Sequence, residues 1–278
     1  MNEESNHPKP VQIITADPFT LAQYWKLMKK HRSLIWVFAL QEIRTMYAQT
    51  YLGIVWAVVR PLVTLAIFTV IFNYFLKVET QSPYYLFAFS GIISWNLFSQ
   101  IATTAATAVV QKQQLISKMF FPKLILPLSK VIIVGVEFTV SLVMLFIFMI
   151  WEKINPGFKI FSLPIFILLN IVAGLSIAIW VNAITIRFRD INQLLPTIIG
   201  IGIWLTPVFF PTTIIPEKYN FFVYINPMSG IIKGYRFALL CEPFPELVYW
   251  LSMLFFCVLL VIGVWYFIQV EDDMVDYS

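Results

Sequence analysis

The side chains able to do chemistry in this 278-residue chain are few and widely spaced. Residues 111–130, QKQQLISKMFFPKLILPLSK, hold Lys112, Lys118, Lys123 and Lys130 and no acid, between two long apolar runs. Cations beside apolar runs mark the cytoplasmic face of a membrane. Residues 113–121 suit about two turns of helix before Pro122. Met119, Phe120 and Phe121 would then form an exposed apolar knob among lysines, fit for docking to a cytoplasmic partner. The plainer alternative is a connector whose lysines meet anionic lipid. Arg60, directly before Pro61 in an apolar run, either snorkels to inner-leaflet phosphates or binds a pyrophosphate head group. Glu137 is a lone carboxylate in another run, either a functional group or a hydrogen-bonding group across a bundle. Phe89, Trp95 and Phe98 lie deep in a third run, where ring faces could pack against the C–H faces of a pyranose. Tyr84 and Tyr85, at the outer end of that run, suit an interfacial belt.

Other chemistry is missing. No G-x-x-x-x-G-K-[ST] phosphate loop occurs, so ATP binding of the usual P-loop kind is not expected. The chain has no H-E-x-x-H and no G-x-S-x-G, and His7 and His31 lie outside the apolar runs, which argues against an intramembrane metalloprotease or serine hydrolase. Asp272-Asp273 reads as part of a solvated acidic tail rather than a metal site. Cys241 and Cys257 make no disulfide framework. No cofactor is expected, and the net charge of +4, distributed by topology, gives no ground for expecting nucleic acid. A membrane-embedded biosynthetic enzyme would need acids clustered near the inner face, and almost none are there. A stand-alone proton-coupled flippase or secondary transporter would use Glu137.

The elements that must position these groups follow from composition. With 59% hydrophobic and 12% charged residues and a mean hydropathy of +0.80, the chain reads as an all-α integral membrane protein. Uncharged runs of helical length exclude an outer-membrane barrel and imply the bacterial cytoplasmic (inner) membrane. The start, MNEESNHPKP, predicts no cleavable signal peptide, and residues 1–16 read as disordered. Asp17-Pro18 reads as a helix start. Residues 17–50 are expected to form amphipathic cytoplasmic interface helices, one burying Leu21, Tyr24, Trp25 and Met28, the next carrying a stripe of Trp36, Leu40, Ile43 and Tyr47. A re-entrant turn over 34–40 is the alternative there. Six transmembrane helices are predicted over about 52–76, 84–110, 124–151, 161–186, 191–210 and 247–270. Asn170 and Asn182 are candidates for hydrogen bonds between helices. Between the last two spans, 211–245 is rich in proline and predicts two short re-entrant periplasmic helices. A cytoplasmic tail, 271–278, ends the chain. This arrangement puts thirteen of the 19 Lys and Arg inside, with both termini cytoplasmic. Lys233 and Arg236 fall outside, as if ordered by lipid or glycan phosphate.

Several stretches together resemble one family. They are TYLGIVWAVVRP (50–61), FAFSGIISWNLFS (87–99), SKMFFPKLILPLS (117–129), RFRDI (187–191), TPVFFP (206–211) and NPMSGIIKGYRFALL (226–240). Their order and spacing are similar to those of ABC-2-type polysaccharide export permeases, the membrane subunits of O-antigen, capsule and teichoic acid exporters. The resemblance implies a homodimer working with two copies of a separate ABC nucleotide-binding subunit, with undecaprenyl-diphosphate-linked polysaccharide, of O-antigen type, as cargo. In that reading Ser117, Lys118, Met119, Phe120 and Phe121 couple to the ATPase, and Arg60 meets the lipid pyrophosphate. Phe89, Trp95 and Phe98 line the glycan channel. An ABC-2 exporter of another lipid or drug is the alternative within the same fold.

Overall fold

Inside a bilayer, backbone N–H and C=O groups must be satisfied within the segment that carries them, which makes long uncharged runs helical. The computed structural model describes residues 21–48, 55–185, 188 and 190–271, and every regular element among them is a helix. Helices α1 (Leu21–Lys30) and α2 (Ser33–Ala48) precede α3 (Val55–Phe68), which runs on as a π-helical stretch over Thr69–Phe75. Next comes α4 (Tyr84–Ala106), then two single turns, α5 (Ala108–Gln111) and α6 (Gln113–Ile116), and then α7 (Ile125–Trp151). A 3-10 turn at Gly157–Ser162 leads into α8 (Leu163–Thr185). The rest is α9 (Ile191–Gly202), α10 (Asn220–Ile225), α11 (Pro227–Leu240) and α12 (Leu247–Val270). The expectations for 1–16, for Asp17-Pro18, for 50–54, for Arg187 and Arg189 and for 272–278 lie outside the described residues.

Five stretches among the described residues are long and apolar enough to cross a membrane: Val55–Phe75, Tyr84–Ala106, Ile125–Trp151, Gly157–Thr185 and Leu247–Val270. The protein is therefore a multi-pass membrane protein with an all-helical membrane domain. The stretch 191–210 differs from the single helix expected there. Its helix α9 has 12 residues, about 18 Å of rise against a hydrocarbon core of about 30 Å. Turns follow over 203–208, where Thr206 Oγ1 donates to the Gly202 carbonyl (2.8 Å) and the Val208 N–H to the Thr206 carbonyl (2.7 Å). Pro207 disfavours helix at the residue before it, so the helix does not resume.

The axis of the bundle is α4. It is buried along most of its length and packs against α3, α7, α8 and α11. Small residues permit that closeness. A Cβ at Gly91 would lie 2.7 Å from the Val208 carbonyl oxygen, and one at Gly234 of α11 would lie 2.0 Å from the Phe166 ring. Polar ties join the helices too: Asn170 Nδ2 donates to the Ser94 carbonyl (2.9 Å), and Asn182 Nδ2 to the Ala105 carbonyl (2.6 Å). Both asparagines thus fill the interhelical role expected of them, worth roughly 0.6–2 kcal/mol each.

Elsewhere apolar side chains point outward. Val63 and Ile67 of α3, Leu194 and Ile198 of α9, and Leu251 and Leu254 of α12 are all exposed, a surface suited to lipid. Helix α1 buries Tyr24 and Met28 but leaves Leu21 and Trp25 exposed. On α2 the buried residues are Phe38 and Ala39, which face the bundle, while Trp36 and Leu40 of the expected stripe point away.

Candidate functional site

Residues 112–124 cross one end of the bundle between α5 and α7. Ser117 Oγ donates back to the Gln113 carbonyl (3.0 Å), after which the chain leaves the helical path. Ser117, Lys118, Met119 and Phe120 are exposed, Met119 by 51% and Phe120 by 58%. Phe121 is not part of this knob. It is 4% exposed, with its ring centroid 5.7 Å from that of Phe38 on α2. Burying a phenyl ring is worth about 2 kcal/mol, and here apolar side chains are available to receive it. The expected three-residue knob is corrected to Met119 and Phe120 on an anchored Phe121.

Two of the four lysines are also anchors rather than lipid contacts. Lys130 Nζ pairs with Glu42 on α2 and donates to Gln111 Oε1 (3.0 Å). Lys123 Nζ donates to the main-chain carbonyl of Glu271, the residue that follows α12, and the Lys123 backbone N–H donates to Glu271 Oε1 (2.9 Å). Glu271 Oε2 accepts the Tyr24 hydroxyl from α1, and the Leu124 N–H donates to that same hydroxyl oxygen (3.4 Å). Buried charges must find partners, and these partners come from α1, α2 and the end of α12. Glu271 is 9% exposed, so the solvated acidic tail expected from the sequence is corrected at its first residue.

Farther into the bundle, α3, α4 and α7 leave a cleft of about 40 Å³ lined by Trp56, Arg60, Asn96, Gln100, Glu137 and Ser141, among others. Arg60 is exposed, with its guanidinium 5.9 Å from the centroid of the Trp56 ring. Glu137 is half-buried, and no ion pair joins it to Arg60. The Glu137 main-chain carbonyl accepts Ser141 Oγ (3.1 Å). Arg60 and Glu137, which lie in separate apolar runs of the sequence, share one cleft in the fold.

The deep aromatics sit differently from the expectation. Phe89, Trp95 and Phe98 are 0%, 6% and 7% exposed. The Phe89 ring lies 5.7 Å from Phe148 of α7, and Phe98 lies 5.3 Å from Trp95 and 6.2 Å from Phe256 of α12. Their faces are taken by the chain's own core, so the sugar-track expectation is corrected for all three. Arg236 is corrected too, since its guanidinium is buried against main-chain acceptors rather than presented to an outer phosphate. At 1% exposure it donates from Nη2 to the carbonyls of Val208 (2.8 Å) and Phe87 (3.4 Å), and its Cζ lies 3.4 Å from the Phe87 ring centroid. Lys233 pairs with Glu246 (3.6 Å). Asn226 caps α11 by accepting the Met228 N–H (3.0 Å), ahead of Pro227 at the first helical position. Its Nδ2 donates to Thr206 Oγ1 (2.8 Å).

Phe87, Val208 and Arg236 come from three of the stretches that carry the family resemblance, and they meet at one point. The sequence profile described as "ABC-2 type transporter" matches residues 33–240. The chain belongs to the ABC-2 type transporter family. Among its relatives is an O-antigen export system permease protein RfbA of Klebsiella pneumoniae, 24% identical over 204 residues, covering 73% of this chain and 78% of the relative. The RfbA of Myxococcus xanthus is 22% identical over 210 residues, 74% and 80% of the two chains. The polysialic acid transport protein KpsM of Escherichia coli is 24% identical over 208 residues, 72% and 79%.

In this ABC-2 chain the family region begins in α2 and ends with α11, leaving α1 and α12 outside it. Those two flanking elements meet at Lys123, inside the family region, through Tyr24 and Glu271. Sequence reasoning missed the role of Glu42, Lys123, Lys130 and Glu271. Its only available signal was residue type: lysines at the mouth of an apolar helix, where burial demands an acceptor.

Proposed function

We propose that this chain is the channel-forming permease subunit of an ATP-driven exporter moving undecaprenyl-diphosphate-linked polysaccharide, of O-antigen type, across the bacterial cytoplasmic membrane. Two copies act with two copies of a separate ABC nucleotide-binding subunit, which hydrolyses the ATP. The lysine segment and both termini face the cytoplasm. The observation that carries the reading is the exposed Met119–Phe120 tip on a segment tied down immediately behind it. Phe121 is held by Phe38, and Lys123 by Glu271. A push at the tip therefore reaches α2, α7 and α12 together, as a rigid-body coupling requires. Support for a glycan cargo comes from the names of the relatives. The outward apolar faces of α3 and α9 are the surface on which a second copy would close a channel. Helix α9 with its following turns completes a sixth crossing, and α10 and α11 re-enter from the periplasmic side.

The test is co-purification with a P-loop ATPase encoded beside this chain, followed by ATPase and export assays with Phe120→Ala. A stable complex whose ATPase activity no longer drives export in the variant is the expected result. A chain that purifies alone and exports without an ATPase would overturn the proposal and turn attention to Glu137 as a proton-coupling group.

A further inference from the structure

Cationic, anionic and amide side chains rarely share a cleft inside an apolar bundle, because each is expensive there unless something polar meets it. Arg60, Asn96, Gln100 and Glu137 do share one. Among the described residues none of the four side chains makes a hydrogen bond, and the only aromatic contact among them is Arg60 over Trp56. We propose that this cleft between α3, α4 and α7 is a docking notch for the hydroxyl groups of a sugar ring of the exported cargo. The inference rests on the glycan-export reading above and adds a place and a chemistry to it.

The argument is one of hydrogen-bonding balance. A guanidinium only donates, an ionised carboxylate only accepts, and an amide does both. A pyrophosphate, the ligand expected for Arg60 from the sequence, offers acceptors alone and would meet the Glu137 carboxylate as a like charge. A metal cation would meet Arg60 the same way. An acyl chain would leave all four groups unsatisfied. Hydroxyls, like water, both donate and accept, so among the groups a lipid-linked glycan carries they answer every member of the set.

Size and shape agree with this. At about 40 Å³ the notch holds roughly three water-sized groups, which suits the edge of a ring and excludes a whole pyranose. The ring itself would lie outside, against Trp56. That indole is 42% exposed at the mouth and offers a flat apolar plate for C–H faces. Phe89, Trp95 and Phe98 cannot do this from the core, so the aromatic contact with sugar moves to the bundle's flank.

The experiment uses cells that make and export the glycan. The photo-crosslinking residue p-benzoylphenylalanine replaces Trp56, and in a control chain it replaces Val70, which is 51% exposed on the same span. After irradiation each chain is purified and hydrolysed, and its monosaccharides are measured. Pyranose sugars attached at position 56 well above the level at 70 are expected. Glu137→Gln should slow export about tenfold at normal membrane levels, the loss of one charge-assisted hydrogen bond. If position 56 captures only phospholipid and Glu137→Gln exports at the normal rate, the notch holds lipid or water alone and the proposal is overturned, with the export function untouched. A strain lacking the chain separates the two readings. If it still exports the glycan, the proposed function itself fails.

Discussion

Glu271 Oε1 accepts the backbone N–H of Lys123 at 2.9 Å, which joins the residue after the last span to the residue that leads into α7. With Tyr24 on the second carboxylate oxygen, one side chain holds three elements at the end of the bundle that carries the exposed tip. A force delivered at Met119 and Phe120 is three or four residues from the Lys123 end of this clamp.

Removing the clamp should cost stability and coupling together. Glu271→Ala strands two buried donors and is expected to lower stability by about 1–3 kcal/mol. Glu271→Gln keeps an oxygen acceptor and should lose less. Thermal unfolding in detergent checks the order, and Tyr24→Phe combined with Glu271→Ala should cost less than the sum of the two single changes.

The adjacent phenylalanines should behave in opposite ways. Phe120→Ala is expected to abolish export while leaving thermal stability within about 0.5 kcal/mol, as exposed positions do. Phe121→Ala opens a space beside Phe38 and should cost about 3–5 kcal/mol. Equal stability in the two variants would remove the distinction between tip and anchor.

Helix α11 should reject even a methyl group at its closest approach to α8. Gly234→Ala places a Cβ where the Phe166 ring now lies, 2.0 Å away, and overpacking of this kind costs about 1–3 kcal/mol. Adding Phe166→Leu should restore part of the loss. Unchanged melting of Gly234→Ala would show that α11 sits farther from α8 than described.

Arg236→Lys should be a poor replacement. The guanidinium reaches two carbonyls while stacked on Phe87, and an ammonium is a compact point charge that cannot reproduce that plane. The expected result is a loss of about 2 kcal/mol or more. Limited proteolysis between α9 and α10 should speed up as the 206–210 turn is released.

Glu242, in the loop between α11 and α12, gives stability a pH dependence. Burial pushes its carboxyl above the ordinary carboxylate range, with Arg236 and Lys233 opposing the shift. A raised folded-state value means that its contribution is complete below the unfolded value and is lost as pH rises through the folded one. Melting measured from about pH 4 to about pH 8 should fall on the alkaline side, and Glu242→Gln should flatten that slope.

The helical membrane fold was legible because apolar length is a one-dimensional property. Runs such as 125–151 state it without reference to any neighbour. Asn170 and Asn182 could be read for the same reason, since an amide in an apolar run has few uses besides a bond to the next helix. Direction is a different matter. Phe120 and Phe121 are identical in type and adjacent in sequence, and only the position of Phe38 decides which one faces out. Arg236 looked like a phosphate ligand because its acceptors are main-chain carbonyls, which every residue has and no sequence pattern marks. The cleft went unrecognised because Arg60, Asn96 and Glu137 come from three separate helices.

The order in which the chain is made gives the Arg236 contact a further consequence. Synthesis runs from the N-terminus, so Phe87 and Val208 already exist when Arg236 emerges, as do Tyr24 and Lys123 when Glu271 does. Each late-arriving charge meets hydrogen-bonding partners assembled before it, carbonyl acceptors for Arg236 and N–H and O–H donors for Glu271, and need not wait exposed in lipid. Insertion of α11 and α12 is in this sense templated by the segments made before them.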